Sequence, residues 1–199
     1  MKLILTRHGE TVENAAGIIQ GHLQGKLSEL GKAQAKRLAQ RLKNEKIDII
    51  YSSDLTRAAD TAKEIATYHP EIPLLLVKEI RERKHGDFDG RKRSEIDASA
   101  EEASLFTSIT TAPKNGESWL QVYERARMFL GKLNQKHKKQ TVLLVSHGGF
   151  IRAMICAIKS QPPEEIFNVA KIGNTSISIF EIRTDNYRIQ QDNCAKHLD

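Results

Sequence analysis

The sequence predicts an α/β protein with three layers, α/β/α, around a mainly parallel sheet. Short apolar segments alternate along the chain with longer segments of helical periodicity, which is the order of elements in such folds. The segment TVLLV at 141–145 is apolar without alternation, as expected for a parallel strand that is covered on both faces. The 199 residues, of which 39% are hydrophobic, are enough for one core without disulfides. We therefore expect a single domain over residues 1–199.

The first half of the chain predicts three strands and two helices. The strands are expected at Lys2–Thr6, Ile47–Tyr51 and Leu74–Val77. Ser28 can N-cap the first helix, whose apolar residues at 30, 33, 38 and 42 keep roughly helical spacing. Ser53 or Asp54 can cap the second helix, which carries apolar residues at 58, 62, 65 and 66 and stops before Pro70.

The pattern weakens between Glu79 and Gly116, where the chain is polar and strongly charged. We interpret this stretch as a small helical cap insertion, at about 83–116, rather than as part of the core. It contains the signal for one short helix, near Ser94–Leu105.

The second half returns to regular alternation. Ser118 begins a helix with one apolar face, the buried strand follows at Thr141–Val145, and a helix is expected at Phe150–Ile158. A hairpin closes the chain, with strands near Ser176–Ile182 and Tyr187–Gln191 about a turn at Asp185–Asn186.

Composition limits the partners and the compartment. The formal net charge of +6 and the pI of about 9.3 favour anionic partners, which include phosphorylated metabolites, nucleic acid and acidic lipid. Cys156 and Cys194 form no disulfide framework and lack metal-ligand spacing, so we expect two free thiols in a reducing cytosol. The chain shows no signal-peptide core and no apolar run of membrane-spanning length. The expectation is a soluble cytoplasmic protein, monomer or homodimer, without a membrane or nucleic-acid partner.

Two of the predicted strands end in His–Gly. The first strand runs into Arg7–His8–Gly9, and the strand at 141–145 runs into Ser146–His147–Gly148. In parallel sheets, ligands bind beyond the carboxyl ends of the strands, so both histidines are expected at the ligand-binding edge.

His8 has the surroundings of a nucleophile. Arg7 precedes it, and Arg57 opens the helix after the second strand. Two neighbouring positive charges should lower the pKa of His8, and a neutral imidazole can attack phosphorus while the arginines hold phosphate oxygens. The alternative is a histidine at a strand end with arginines in surface ion pairs, and the three residues RHG alone do not decide between them.

A longer set of motifs carries more information. RHGETVEN, IIQG, LSELGKAQA, YSSDLTRAADTA, IRERKHGDFDG, NGESWLQVYER and VSHGG follow one another in this order. Together they resemble the blocks of the histidine phosphatase superfamily, the phosphoglycerate mutase-like family of branch 1, from Leu3 to about Ser178. The resemblance implies a phosphoglycerate mutase-like fold and an enzyme that transfers phosphoryl groups from small phosphorylated metabolites.

The resemblance also implies a role for each matched residue. His8 would become phosphorylated, Arg7 and Arg57 would hold the phosphate, and His147 would contact the transferring group. Glu82 would protonate the leaving oxygen, although an ion pair with Arg81, Arg83 or Lys84 is an alternative. Further ligand contacts are implied for Asn14, Gln20, Gly21, the Gly148 amide and Asn174. Two histidines and two arginines can supply the donors that phosphoryl transfer needs, so we expect no metal and no cofactor.

Some residues depart from the family pattern or lie outside it. His85 stands where relatives often carry an apolar residue, and we favour a solvated surface position over a substrate contact. Arg91–Arg93 opens the cap and is either a basic lid for a second anionic group or an ordinary solvated surface. Gln24 and Lys26 replace residues that shape the loop after Gln20 in many members, which leaves the chemistry unaffected.

Three functions remain open on the sequence. A phosphatase would release the phosphoryl group of His8 to water, and a cofactor-dependent phosphoglycerate mutase would return it to a second substrate oxygen. A binding module without catalysis would use the basic surface for nucleic acid or another anion, but it leaves both His–Gly strand ends unexplained. The compact segment Gly90–Gly116 and the short tail favour the phosphatase, because a mutase must seal its intermediate under a cap.

Overall fold

The fold is built on a six-stranded sheet. It is given by a computed structural model, which describes residues 1–183 and 186–199. The strands are β1 (Lys2–Arg7), β2 (Ile49–Ser53), β3 (Leu74–Val77), β4 (Thr141–Ser146), β5 (Ile177–Ile182) and β6 (Tyr187–Cys194). Their order is β3-β2-β4-β1-β5-β6, with parallel pairing from β3 to β1 and antiparallel pairing of β5 and β6 at the other edge. The predicted α/β fold with a mainly parallel sheet is confirmed.

Helices cover both faces of the sheet. They are α1 (Val12–Ala15), α2 (Glu29–Leu42), α3 (Thr56–Ala66), α4 (Arg93–Asp97), α5 (Ala100–Thr107), α6 (Trp119–Lys136) and α7 (Gly148–Ile158). The apolar sides of α2 and α3 form one core cluster with the sheet, and those of α6 and α7 form another on the opposite face. β4 lies between these layers and is buried along its whole length, which explains its unbroken apolar sequence.

Hydroxyl N-caps begin two of the long helices at the expected residues. The Oγ of Ser28 accepts from the Gly31 N–H at the start of α2. Ser118 forms a capping box with Gln121 at the start of α6. Each cap satisfies N–H groups that the helix itself cannot pair.

The cap predicted for α3 is wrong. The N-cap of α3 is Leu55, with no side-chain hydrogen bond. The Asp54 carboxylate is held instead by Arg81, whose Nε and Nη2 donate to its two oxygens at 2.6 Å each. The Asp54 side chain therefore forms an ion pair with a residue distant in sequence, and it does not cap the helix as the local pattern predicts.

Several boundaries also differ. β2 begins and ends two residues later than predicted, and α7 begins at Gly148 rather than Phe150. The two strands of the C-terminal hairpin are present, but the predicted turn at Asp185–Asn186 lies partly outside the described residues.

The cap segment holds two short helices, α4 and α5, where one was predicted. Ile19, Phe88 and Ile96 form a small apolar cluster there, separate from the main core. Arg83 is fully buried beneath the segment, and its guanidinium donates to the backbone carbonyls of Phe106 and Glu117. This arginine therefore ties the end of α5 to the start of α6.

No helix among the described residues has both the length and the apolar character required to cross a bilayer.

Candidate active site

The sheet brings the two His–Gly strand ends together. β1 and β4 are parallel neighbours, and their register places Arg7 opposite Ser146. The next residue on each strand is the histidine, and the ring centroids of His8 and His147 lie 5.1 Å apart. Topology alone thus joins two residues that are far apart in the sequence.

A cavity of about 370 Å³ opens at this edge of the sheet. Most of the predicted site residues line it, namely Arg7, His8, Asn14, Gln20, Gly21, Arg57, Glu82 and Gly148. His147 lies fully buried against His8. Asn174 contacts the backbone of His8.

His8 presents one nitrogen to the cavity as a lone pair. Its Nδ1 lies 2.7 Å from the Gly9 carbonyl oxygen, which can only accept, so Nδ1 carries the proton. Nε2 is then free of hydrogen and accepts from Nε of Arg57 at 3.3 Å. Burial, followed by the charges of Arg57 and Arg7, holds the pKa of His8 well below its ordinary value. The predicted direction holds, but burial rather than the arginines is the larger cause.

His147 is a second neutral imidazole beside the first. Both of its ring nitrogens are buried and have no hydrogen-bond partner among the described residues. Its pKa is well below the ordinary value, because of burial first and then the charge of Arg57. A buried polar group without a partner is costly, and both nitrogens therefore remain available to a ligand atom.

The two arginines are fixed by backbone carbonyls rather than by carboxylates. Arg57 donates from Nη2 to the Gly21 carbonyl at 2.9 Å, and Arg7 donates from Nη1 to the Ile172 carbonyl at 2.9 Å. Nε of Arg7 is buried without a partner in the described part of the chain. Burial lowers the pKa of Arg57 to about 10, which still leaves the side chain charged at neutral pH. Their positive charge therefore remains available to an anion.

Glu82 caps α7 from outside the helix. Its carboxylate accepts from three backbone N–H groups, those of Gly149 and Phe150 at 3.2 Å each and that of its neighbour Arg83 at 3.0 Å. The alternative of an ion pair with Arg81, Arg83 or Lys84 is not what the structure shows, because the ion pairs of the described residues do not include Glu82. Arg81 pairs with Asp54, and the Arg83 guanidinium donates to backbone carbonyls. The first turn of α7 thus fixes the carboxyl group at the cavity wall.

The remaining predicted ligand contacts differ in their surroundings. Asn14 lines the cavity while its Oδ1 accepts from the Thr11 N–H in a capping box. The Oε1 of Gln20 is buried and has no hydrogen-bond partner in the described chain. Gly21 has a φ of +43°, and the Asp89 carboxylate occupies the space that a Cβ at residue 21 would need. Asn174 does not line the cavity, and its Nδ2 donates to the His8 carbonyl at 3.0 Å. Asn174 thus holds the backbone of His8, and its expected ligand contact stays a prediction.

Comparison with known proteins identifies the family. A family model described as histidine phosphatase superfamily (branch 1) matches residues 3–195. The chain belongs to this superfamily.

Individual relatives are similar to this chain over most of their length. Phosphoglycerate mutase-like protein 4 of Arabidopsis thaliana is 37% identical over 204 residues, covering 100% of this chain and 87% of that protein. Phosphoserine phosphatase 1 of Hydrogenobacter thermophilus is 37% identical over 203 residues, covering 100% and 94%. A solved structure of mycobacterial glucosyl-3-phosphoglycerate phosphatase in complex with VO3 superposes with a TM-score of 0.90 at 31% identity, covering 98% and 99%.

The sequence prediction for His85 is wrong. This histidine is 7% exposed, lines the cavity and stacks on Phe106 with ring centroids 4.7 Å apart and planes at 4°. Burial, helped by the charges of Arg83 and Arg93, lowers its pKa to about 3. Phe106 belongs to α5, so the environment of His85 depends on how the cap folds over it.

The basic run divides in the structure of this histidine phosphatase. Arg91 pairs with Glu102, whereas Arg93 lines the cavity, lies 3.9 Å from the centroid of Phe106 and pairs with Asp97. Lys92 is exposed.

Further cavity residues were not foreseen: Phe106, Trp119, Gly149, Arg152, Lys171 and Ile172. Trp119 and Gly149 lie within the quoted motifs, and Arg152 stands one helical turn after Gly148 on the same face of α7, so these three had a signal in the sequence. Among residues 1–183 and 186–199, no group of three or more His, Cys, Asp or Glu side chains is arranged to hold a metal ion.

Proposed function

We propose that this chain hydrolyses small phosphomonoesters through a phosphohistidine on His8, without a metal ion. It is a phosphomonoester hydrolase of the histidine phosphatase superfamily. The observation that carries the proposal is the tautomer of His8, because the bond from Nδ1 to the Gly9 carbonyl leaves the Nε2 lone pair directed into the cationic cavity.

In the first step, His8 Nε2 attacks phosphorus as the bond to the ester oxygen breaks. The charge on the three equatorial oxygens is met by Arg7 Nε and the His147 ring, which are buried without a partner among the described residues, and by the Arg57 guanidinium. Donors fixed before the reaction need no reorganisation as charge develops. When His8 Nε2 bonds to phosphorus, it no longer accepts from Arg57 Nε, and that N–H can donate to a phosphoryl oxygen.

The departing oxygen takes a proton from Glu82, which enters the step as the carboxylic acid. Its carboxyl group lines the cavity and is held by the N–H groups of Gly149 and Phe150 at the start of α7. The alcohol then leaves, and Glu82 remains as a carboxylate.

In the second step, water attacks phosphorus from the side that the alcohol has left. The Glu82 carboxylate takes the proton of that water, the P–N bond breaks, and inorganic phosphate leaves. His8 recovers the Nε2 lone pair and Glu82 recovers its proton, so the cycle closes without a further reactant.

The substrate is proposed to be a small phosphorylated metabolite. The similar proteins include a phosphoserine phosphatase and a glucosyl-3-phosphoglycerate phosphatase, whose substrates are phosphomonoesters of modest size. A cavity of about 370 Å³ accommodates molecules of this kind.

The deciding experiment compares hydrolysis with isomerisation. Phosphate release from a panel of phosphomonoesters is measured beside the interconversion of 3- and 2-phosphoglycerate in the presence of 2,3-bisphosphoglycerate. We expect release to dominate, because the cap consists of two short helices and His8 lines the cavity through which water would enter. Isomerisation faster than release by orders of magnitude would establish a mutase, with the same residues around phosphorus.

We also propose a cytoplasmic location. Cys156 and Cys194 are both free thiols, which fits a reducing compartment. Fractionation of cells that express the tagged chain tests this.

A further inference from the structure

Five cationic side chains line the cavity, and the phosphoryl group does not account for all of them. They are Arg7, Arg57, Arg93, Arg152 and Lys171. Arg7 and Arg57 flank His8, and Arg93 is paired with Asp97. The ion pairs of the described chain include neither Arg152 nor Lys171. Two positive charges therefore face the cavity without a protein partner.

Arg152 is the more constrained of the two. It projects from α7 one turn after Gly148, and its guanidinium lies 6.0 Å from the ring centroid of Phe167. Its Nε is buried and has no hydrogen-bond partner among residues 1–183 and 186–199. Burying part of a charged group without an acceptor costs free energy, so its retention at a cavity wall points to an anionic ligand.

The position of Arg152 relative to Glu82 indicates which part of the ligand it meets. Both side chains line the same cavity: Arg152 projects from α7, and the Glu82 carboxyl group is held by N–H groups in the first turn of that helix. In the proposed reaction Glu82 contacts the oxygen that leaves. A group beside Glu82 on the same wall therefore faces the alcohol portion of the substrate and not the phosphoryl group.

We propose that Arg152 is a specificity-determining residue that binds a carboxylate on the leaving alcohol, with exposed Lys171 adding a second charge at the rim. This inference rests on the proposed phosphatase function and names its substrate class. Nε and the terminal nitrogens of a guanidinium form a planar fork that matches a carboxylate, which an ammonium cannot reproduce.

The test uses two phosphomonoesters that differ at one group. 3-Phosphoglycerate carries a carboxylate where glycerol 3-phosphate carries a hydroxymethyl group. The kcat and KM for phosphate release are measured on both with the wild type, Arg152→Gln, Arg152→Lys and Lys159→Gln. Lys159 is the C-cap of α7 and does not line the cavity, so its variant removes one positive charge from the same helix without touching the site.

We expect Arg152→Gln to lower kcat/KM on 3-phosphoglycerate by roughly ten- to a hundred-fold, mostly through KM, as for the loss of a charged hydrogen-bonded pair. Activity on glycerol 3-phosphate should change less than about two-fold, and Lys159→Gln should leave both substrates near wild type. Arg152→Lys should recover only part of the loss, because it restores the charge without the fork.

Equal losses on both substrates would show a general role in folding or catalysis and would overturn the inference. So would a wild type that does not distinguish the two substrates. Phosphate release from neither substrate, nor from an aryl phosphate, would instead contradict the proposed function itself.

Discussion

Gly149→Ala tests whether the first turn of α7 positions the acid of the reaction. A Cβ at residue 149 would overlap Oε1 of Glu82, stand 3.3 Å from its Cδ and stand 3.1 Å from Cη2 of Trp119. Trp119 is buried, and its ring is held by a hydrogen bond from Nε1 to the Phe106 carbonyl at 3.0 Å. The Glu82 carboxyl group is therefore the part that must move, by about 1 Å to restore an ordinary contact of roughly 3.5 Å.

Such a movement breaks the hydrogen bonds from Gly149 and Phe150, which are already 3.2 Å long. General acid catalysis contributes about 10²–10⁴-fold, and its share depends on how much charge builds on the leaving oxygen. We expect kcat on an alkyl phosphate such as glycerol 3-phosphate to fall by about 100-fold, and on an aryl phosphate with an acidic phenol by less than about 10-fold. Stability should fall by no more than about 1 kcal/mol, because the preference of helices for alanine over glycine, about 1 kcal/mol, offsets part of the loss of the two capping hydrogen bonds, about 1 kcal/mol each.

The assay measures kcat for both leaving groups in Gly149→Ala, Glu82→Gln and the double variant. Gly131→Ala is the control, since Gly131 lies within α6 and a Cβ there meets no atom within 4 Å. The double variant should be little worse than Glu82→Gln, because both changes remove the same function. Equal slowing of the two substrates, or losses that multiply in the double variant, would refute this role of Glu82.

Three further predictions follow from the site. Substrate should transiently label His8 with an acid-labile, alkali-stable phosphoryl group, and His8→Ala should abolish turnover; acid-stable label would contradict the nucleophile. Dialysis against a strong chelator should leave activity almost unchanged because arginines supply the charge, and loss restored only by Mg²⁺ or Zn²⁺ would contradict this. Since the pKa of His85 is about 3 when folded and 6.5 when exposed, the folded chain binds fewer protons between these values, so stability falls as the pH drops below 6.5. The loss should reach about 2 kcal/mol by pH 5, and His85→Phe should flatten the dependence of Tm on pH; an unchanged slope would show that His85 is not the cause.

Local signals in the sequence were sufficient for most of the fold. The caps at Ser28 and Ser118 were predictable because a hydroxyl reaches N–H groups only two or three residues away. The burial of β4 between two helical layers could also be predicted, since a strand buried on both faces has no polar alternation.

The errors occur where a side chain has a partner that is distant in sequence. Asp54 has the right position to cap α3, but Arg81 arrives through the fold and makes two charged hydrogen bonds to it. Such a pair is stronger than a single cap, so the tertiary contact replaces the local one. His85 was misplaced for the same reason, because its burial comes from Phe106 on α5, a helix whose packing no local pattern specifies.

The same distinction separates the parts of the site. His8 and His147 could be predicted because each ends a strand, and parallel strands end at one edge. The capping of α7 by Glu82 could not be predicted, because it requires the segment after β3 to reach the helix that follows β4. Asn174 shows how the two kinds of information combine. The resemblance placed it at the ligand, and the fold places its amide on the His8 carbonyl, next to the Gly9 carbonyl that sets the tautomer of the ring. In the described structure, the residue that the family motif assigns to the ligand therefore supports the backbone of His8.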